Sequence, residues 1–149
     1  MSPFDIKQLI LAKHAQHVVL VHFPIALCIV GVAFDFGAQL TKRTMLAATA
    51  YYNLGVAALS TPPVLVTGLL AWQLQFEGHK LKGLLLLHLV LGIVASTLIW
   101  LAWYAHFRAR REKDQSLPSY RLFVEAIAVA VIMVTAHLGG FLSGVNGIR

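Results

Sequence analysis

The chain has 149 residues, 58% of them hydrophobic and 12% charged, with a mean hydropathy of +0.75. Soluble domains carry about 25% charged residues, so this composition excludes a soluble domain and describes one integral membrane domain. The formal net charge of +6 is not laid out as a basic stripe interleaved with aromatics, which excludes nucleic acid as a partner; basic residues flank the apolar runs, where they set membrane orientation.

Residues 1–16 carry Asp5, Lys7, Lys13 and His14 and lack an uninterrupted apolar stretch. No cleavable signal peptide is expected, and the first membrane helix serves as the insertion signal. Four long apolar segments follow, at about residues 17–40, 45–72, 81–107 and 120–142. Each exceeds the roughly 20 residues a spanning helix needs. The links between them, 41–44, 73–80 and 108–119, are short. The expectation is therefore an all-α, up-down four-helix membrane bundle forming a single domain, 1–149. No strand pattern and no convincing internal repeat is evident.

Pro24 lies in the first turns of segment one and is tolerated there. Pro62 and Pro63 fall in the middle of segment two, where the missing N–H groups predict a kink or break. Ser60 and Thr61 stand close enough to satisfy freed carbonyls. The single cysteine, Cys28, reads as a small apolar side chain in the core. No Cys-x-x-Cys-His motif occurs, which excludes covalent c-type haem attachment. Trp72, Trp100 and Trp103 read as interfacial or lipid-facing anchors rather than electronic relays.

The linkers give orientation. Lys42, Arg43, Arg108, Arg110, Arg111, Lys113 and Arg121 lie on one side; Lys7, Lys13, Lys80, Lys82 and Arg149 lie on the other. The positive-inside rule puts the first group in the cytoplasm and both termini outside. Asp35 and Glu125 are the carboxylates within the spans, both near the basic side. Arg121 precedes Glu125 by four residues, the spacing of a helical ion pair, and Arg43 is placed to reach the end of the bundle that holds Asp35.

The seven histidines carry the functional reading. His22, His88 and His137 fall at matched depth in segments one, three and four, roughly 8–9 Å below the outer face at 1.5 Å of rise per residue. Ionisable residues inside a membrane mark functional sites by default, and three in one layer point to a haem or metal site. Gly92 and Ser96 continue the His88 face, and Gly140 and Gly144 continue that of His137, with Gly139 adding room for a flat macrocycle. The same glycines also fit plain helix packing through small residues. His79 and His88, nine residues apart, face opposite ways at 100° per residue. His17 lies roughly 140° round the helix from His22 and forms, with His79, a possible upper layer that would take a second haem. His14 reads as interfacial, and His106, beside the basic loop, as solvated.

His22-Phe23-Pro24-Ile25-Ala26-Leu27 with His17 upstream, His79-Lys80-Leu81-Lys82-Gly83, and Ala136-His137-Leu138-Gly139-Gly140 followed by Gly144-Val145-Asn146-Gly147 together resemble, in order and over nearly the whole chain, the motifs of the DUF2231 family of predicted membrane proteins. That resemblance implies a four-helix membrane domain, and an electron-transfer role, because family members often stand beside or are fused to cytochrome c modules. It also makes His79 a competitor of His88. This chain carries no cytochrome module, so a redox partner would be a separate protein.

The expectation is a haem b-binding subunit passing electrons between a quinone or membrane enzyme and an outward-facing partner such as a cytochrome c-type protein. It would hold one haem, or two. Bis-imidazole ligation leaves no open position, which suits electron transfer. His22 is the expected first ligand, with His88 or His79 opposite; His137 is the alternative or serves a second haem. Other readings are a non-haem site of three imidazoles on Cu, Zn or Fe, and a cofactor-free structural or assembly subunit.

Overall fold

The fold is given by a computed structural model that describes residues 12–75, 80–112 and 117–144. Five helices result: α1 (Lys13–Leu20), α2 (His22–Thr41), α3 (Thr44–Gln75), α4 (Gly83–Arg111) and α5 (Arg121–Leu142). α1 and α2 together make the first of four spans long and apolar enough to cross a membrane. Among the described residues there is no strand. α2 packs on α3, α3 on α4, α4 on α5 and α5 back on α2, while α1 lies against α3. The result is the expected up-down bundle, with α2 diagonal to α4 and α3 to α5.

Proline sets the local departures from a plain helix. Pro24 has no N–H for the carbonyl of Leu20, and the first span divides one residue later, at Val21. The next bond, Ile25 N to Val21 O, is stretched to 3.4 Å. His22 Nδ1 donates to the Val18 carbonyl at 2.7 Å, so a side chain supplies polar contact where the backbone ladder falters. The central pair behaves differently. α3 runs unbroken through Pro62 and Pro63. Pro62 frees the carbonyl of Ala58, and the Thr61 hydroxyl donates to it at 2.8 Å. The same hydroxyl accepts Trp100 Nε1 at 3.1 Å.

The tryptophans therefore do more than anchor the helices. Trp100 ties α4 to the proline turn of α3, and Trp103 packs against the core with its ring over Gly55. α2 ends where Lys42 turns into the left-handed region, φ 58°, closing a tight connection to α3.

The core is built from small side chains. Ala50, Ala57, Ala58, Ala95, Ala102 and Ala128 are buried, which lets helix backbones approach closely. Cys28, Leu54, Ile99 and Ile132 fill the space between them. Large apolar residues such as Leu40, Met45, Leu59 and Phe123 are exposed on the outside of the bundle, the pattern of a surface solvated by lipid.

α4 gives a ruler. Its 29 residues are about 43 Å long at 1.5 Å per residue, longer than a hydrocarbon core of about 30 Å. His88 and His106 are separated by about 27 Å of that helix. A centred span thus places them near the two borders of the hydrocarbon.

Thr61→Val tests the proline repair. Removing the hydroxyl strands the Ala58 carbonyl and the Trp100 indole together, and should lower stability by about 1 kcal/mol in lipid. Unfolding measurements in bilayers against wild type read this directly; an unchanged stability contradicts the role.

Candidate functional site

One end of the bundle encloses a cavity of about 360 Å³, within the usual range for ligand sites of about 300–1,000 Å³. Its walls are mostly apolar side chains drawn from all five helices, interrupted by His17, His22 and His88 and by the hydroxyls of Thr61, Ser96, Thr135 and Ser143. The His17 and His88 rings face each other with centroids 6.4 Å apart and planes at 89°.

The two rings are held alike. His17 Nδ1 lies 3.0 Å from the Val64 carbonyl of α3, and His88 Nδ1 lies 3.1 Å from the Thr135 carbonyl of α5. A carbonyl oxygen only accepts, so each Nδ1 carries the proton and the lone pair resides on Nε2. This is the arrangement that fixes a histidine for metal ligation. Each ring also rests on a glycine. A Cβ on Gly68 would stand 2.9 Å from His17 Cε1, and one on Gly139 would stand 3.1 Å from His88 Cε1.

These parallels follow a single offset. His17 to His88, Val64 to Thr135 and Gly68 to Gly139 are each 71 positions apart. The chain is thus a structural repeat of two helical hairpins, each contributing one histidine, one carbonyl and one glycine seat. The repeat escapes notice in the sequence because few side chains are preserved. His17-Val18-Val19-Leu20 against His88-Leu89-Val90-Leu91 is the trace of it, and would have singled out His17.

The other expected residues divide. His22 lines the cavity with an exposed ring. His137 is exposed, edge-on to Phe141 at 5.0 Å, and is not part of the cavity wall. Gly92, Gly139 and Gly140 line the cavity, and a Cβ on Gly92 would meet nothing. Gly144 adopts φ +77° just past the end of α5, where it terminates the helix instead of extending a stripe. His79 lies outside the described residues. His22, His88 and His137 do not converge. Among the described residues the one group of three ligand-type side chains with donor atoms within 4.8 Å is Asp35, His106 and Glu125.

That group sits at the opposite, basic end. His106 is 3% exposed and is not solvated as its position beside the basic loop led one to expect. It turns inward, and Nε2 meets Glu125 Oε1 at 2.9 Å. The helical pairing of Arg121 with Glu125 gives way to a bond across the bundle, Arg121 Nε to Asp35 Oδ2 at 2.8 Å. Arg121 also donates to Gln39 Oε1 at 2.9 Å. Arg43 has no part in this network; it lines a cleft beside it.

Four apolar spans, a lipid-facing exterior and a polar site at each end define a multi-pass integral membrane protein with a four-helix core. Residues 13–149 match the family described as "Predicted membrane protein (DUF2231)", and the chain belongs to that family. No curated protein and no solved structure matches it.

The glycine seats make a paired prediction. Gly68→Ala should displace the His17 ring and destabilise the protein by about 1–3 kcal/mol. Gly92→Ala should be neutral or stabilising by up to about 1 kcal/mol, since alanine favours the helix and meets nothing. Thermal unfolding in detergent compares the two, and equal effects contradict the seat.

Proposed function

We propose that the protein is a haem b-binding membrane electron-transfer subunit in which His17 and His88 would hold the haem iron. One observation carries the reading: two imidazoles, one from each hairpin, oriented by backbone carbonyls and facing each other across an apolar cavity. Metal–imidazole bonds are about 2.0–2.1 Å; with a ring radius added on each side, two imidazoles on one metal have centroids roughly 6 Å apart. The 6.4 Å between the His17 and His88 centroids is close to that separation, and the open space beside Gly92 suits a flat ring. Haem bound there would supply reversible one-electron chemistry. The chain's own part is to fix both imidazoles in the Nδ1–H form, exclude water with apolar walls, and hold the pair near one membrane border, within reach of a separate partner. A cytochrome c-type protein, a membrane redox complex or a quinone are the partner classes this reading calls for.

The proposal moves the first ligand from His22 to His17, five residues upstream. The division of the first span at Val21 lets α1 pack on α3 and brings His17 over Gly68. A three-histidine metal site has less support, because the three rings do not gather around one point.

Purified from haem-supplied cells, the protein should show a Soret band, sharp α and β bands on dithionite reduction, and a positive pyridine haemochrome assay. His17→Ala and His88→Ala should each deplete haem or turn its spectrum high-spin. His22→Ala and His137→Ala should keep the low-spin spectrum. A folded but colourless preparation overturns the haem reading, and an unaltered spectrum in His17→Ala overturns the ligand assignment.

The same proposal places the histidine end outside and the loop at Arg108, Arg110 and Arg111 in the cytoplasm, by the larger number of Lys/Arg residues there. A topology reporter fused after Arg149 should read as external. A cytoplasmic reading with four intact spans reverses the orientation.

A further inference from the structure

The charged cluster at the basic end is separate from the haem reading and has a chemistry of its own. Asp35 and Glu125 are fully buried and His106 and Arg121 nearly so. His106 Nε2 stands 2.9 Å from Glu125 Oε1 and 3.9 Å from Asp35 Oδ2. Asp35 Oδ1 and Glu125 Oε2 are buried without a hydrogen-bond partner. A shallow cleft of about 190 Å³, lined by Asp35, Gln39, Lys42, Arg43 and Arg121 among others, reaches the cluster from the basic surface. Asp35 and His106 are again 71 positions apart, so the two hairpins bring their equivalent positions together here as they do at the other end.

Charge balance selects the ligand. Two carboxylates, one guanidinium and a neutral imidazole leave a net charge of minus one, and an unbalanced buried charge is costly. A divalent cation would leave plus one and would share Asp35 with a guanidinium already 2.8 Å away. A single proton brings the cluster to zero. Lys42 and Arg43 line the cleft but are exposed, where water screens their charge, and the packed helices add no compensating charge. α2 offers only Asp35 and, two turns back, the Cys28 thiol; α4 offers His106; α5 offers Arg121 and Glu125. α3 has no charged residue, and its Tyr51 ring is covered by Arg110 at 4.2 Å.

We propose that Asp35, His106, Glu125 and Arg121 form a one-proton binding site at the basic membrane border, filled from water through the cleft. Uptake of H⁺ takes the cluster from minus one to neutral; neutral His106 already donates Nε2–H to Glu125 Oε1, so the added proton goes to the other side of that pair, the remaining imidazole nitrogen or the partnerless Glu125 Oε2. No electron or other group moves. Neutralising either carboxylate balances Arg121 without a proton, so Glu125→Gln and Asp35→Asn should each abolish uptake. Removing Arg121 together with Glu125 leaves one carboxylate facing His106 and should restore it.

The experiment is infrared pH-difference spectroscopy of the whole protein in lipid nanodiscs, from about pH 5 to 8 where imidazole titrates, in H₂O and D₂O, with metal content measured on the same samples. The wild type should show one deuterium-sensitive titrating group that is lost in Glu125→Gln and in Asp35→Asn and regained in the double variant Arg121→Gln/Glu125→Gln. A wild-type spectrum without any such cluster signal overturns the proposal, whatever the folding of the variants. So does a signal that survives both single substitutions. Stoichiometric divalent metal in the wild type, absent from both single variants, replaces the proton with a cation site.

Discussion

Hydrocarbon cannot complete a hydrogen bond, and most of the polar side chains inside this bundle are arranged around that fact, Asp35 Oδ1 and Glu125 Oε2 being the buried exceptions. The carbonyl that Pro62 strands is met by Thr61, whose hydroxyl also receives the Trp100 indole. His17 and His88 satisfy Nδ1 on carbonyls of a neighbouring helix. The buried charges at the basic end are gathered into one network instead of being left as separate ions. The same constraint that stabilises the bundle therefore also fixes tautomers, and a fixed tautomer is what turns a histidine into a ligand with a defined direction.

The two hairpins are alike in backbone and unlike in chemistry. At the cavity end both contribute histidine. At the basic end the equivalent positions are Asp35 and His106, an acid opposite a base. The buried Glu125 is the counterpart of the buried Leu54, and Arg121 of Ala50, each by the same offset. The first hairpin thus gives the basic network one charge, Asp35, and keeps the places matching Glu125 and Arg121 apolar, while the second gives both of those charges. One scaffold used twice carries a symmetric pair at one membrane border and an asymmetric charged network at the other.

Much of this was legible in the residues. The apolar run lengths and short links gave four antiparallel helices, and the expected segments differ from the observed helices by a few residues at their ends. The histidine pattern pointed to the end of the bundle that holds the cavity, and the help that Thr61 gives to the proline pair was foreseeable from its position. Which two rings meet at the cavity was harder to read. Depth was counted as though the first span were one straight helix, which turned His17 away from His22. Pro24 breaks that regularity, and packing of α1 on α3 decides which ring meets His88. His106 was misread because closeness to a basic loop suggested water; its burial depends on Glu125, nineteen residues away in sequence, a partnership that no local spacing reveals.

The seam between the hairpins has a consequence for how the protein is made. His17 and its seat lie wholly in the first half of the chain, His88 and its seat wholly in the second. Each half can prepare its own imidazole as it inserts, but the pair exists only once the halves have met. A group bound between them would act as a rivet, stabilising the joined form by mass action in proportion to its affinity. Loading would then be the last event of biogenesis, and the chain's resistance to separation of its halves would report whether loading had taken place.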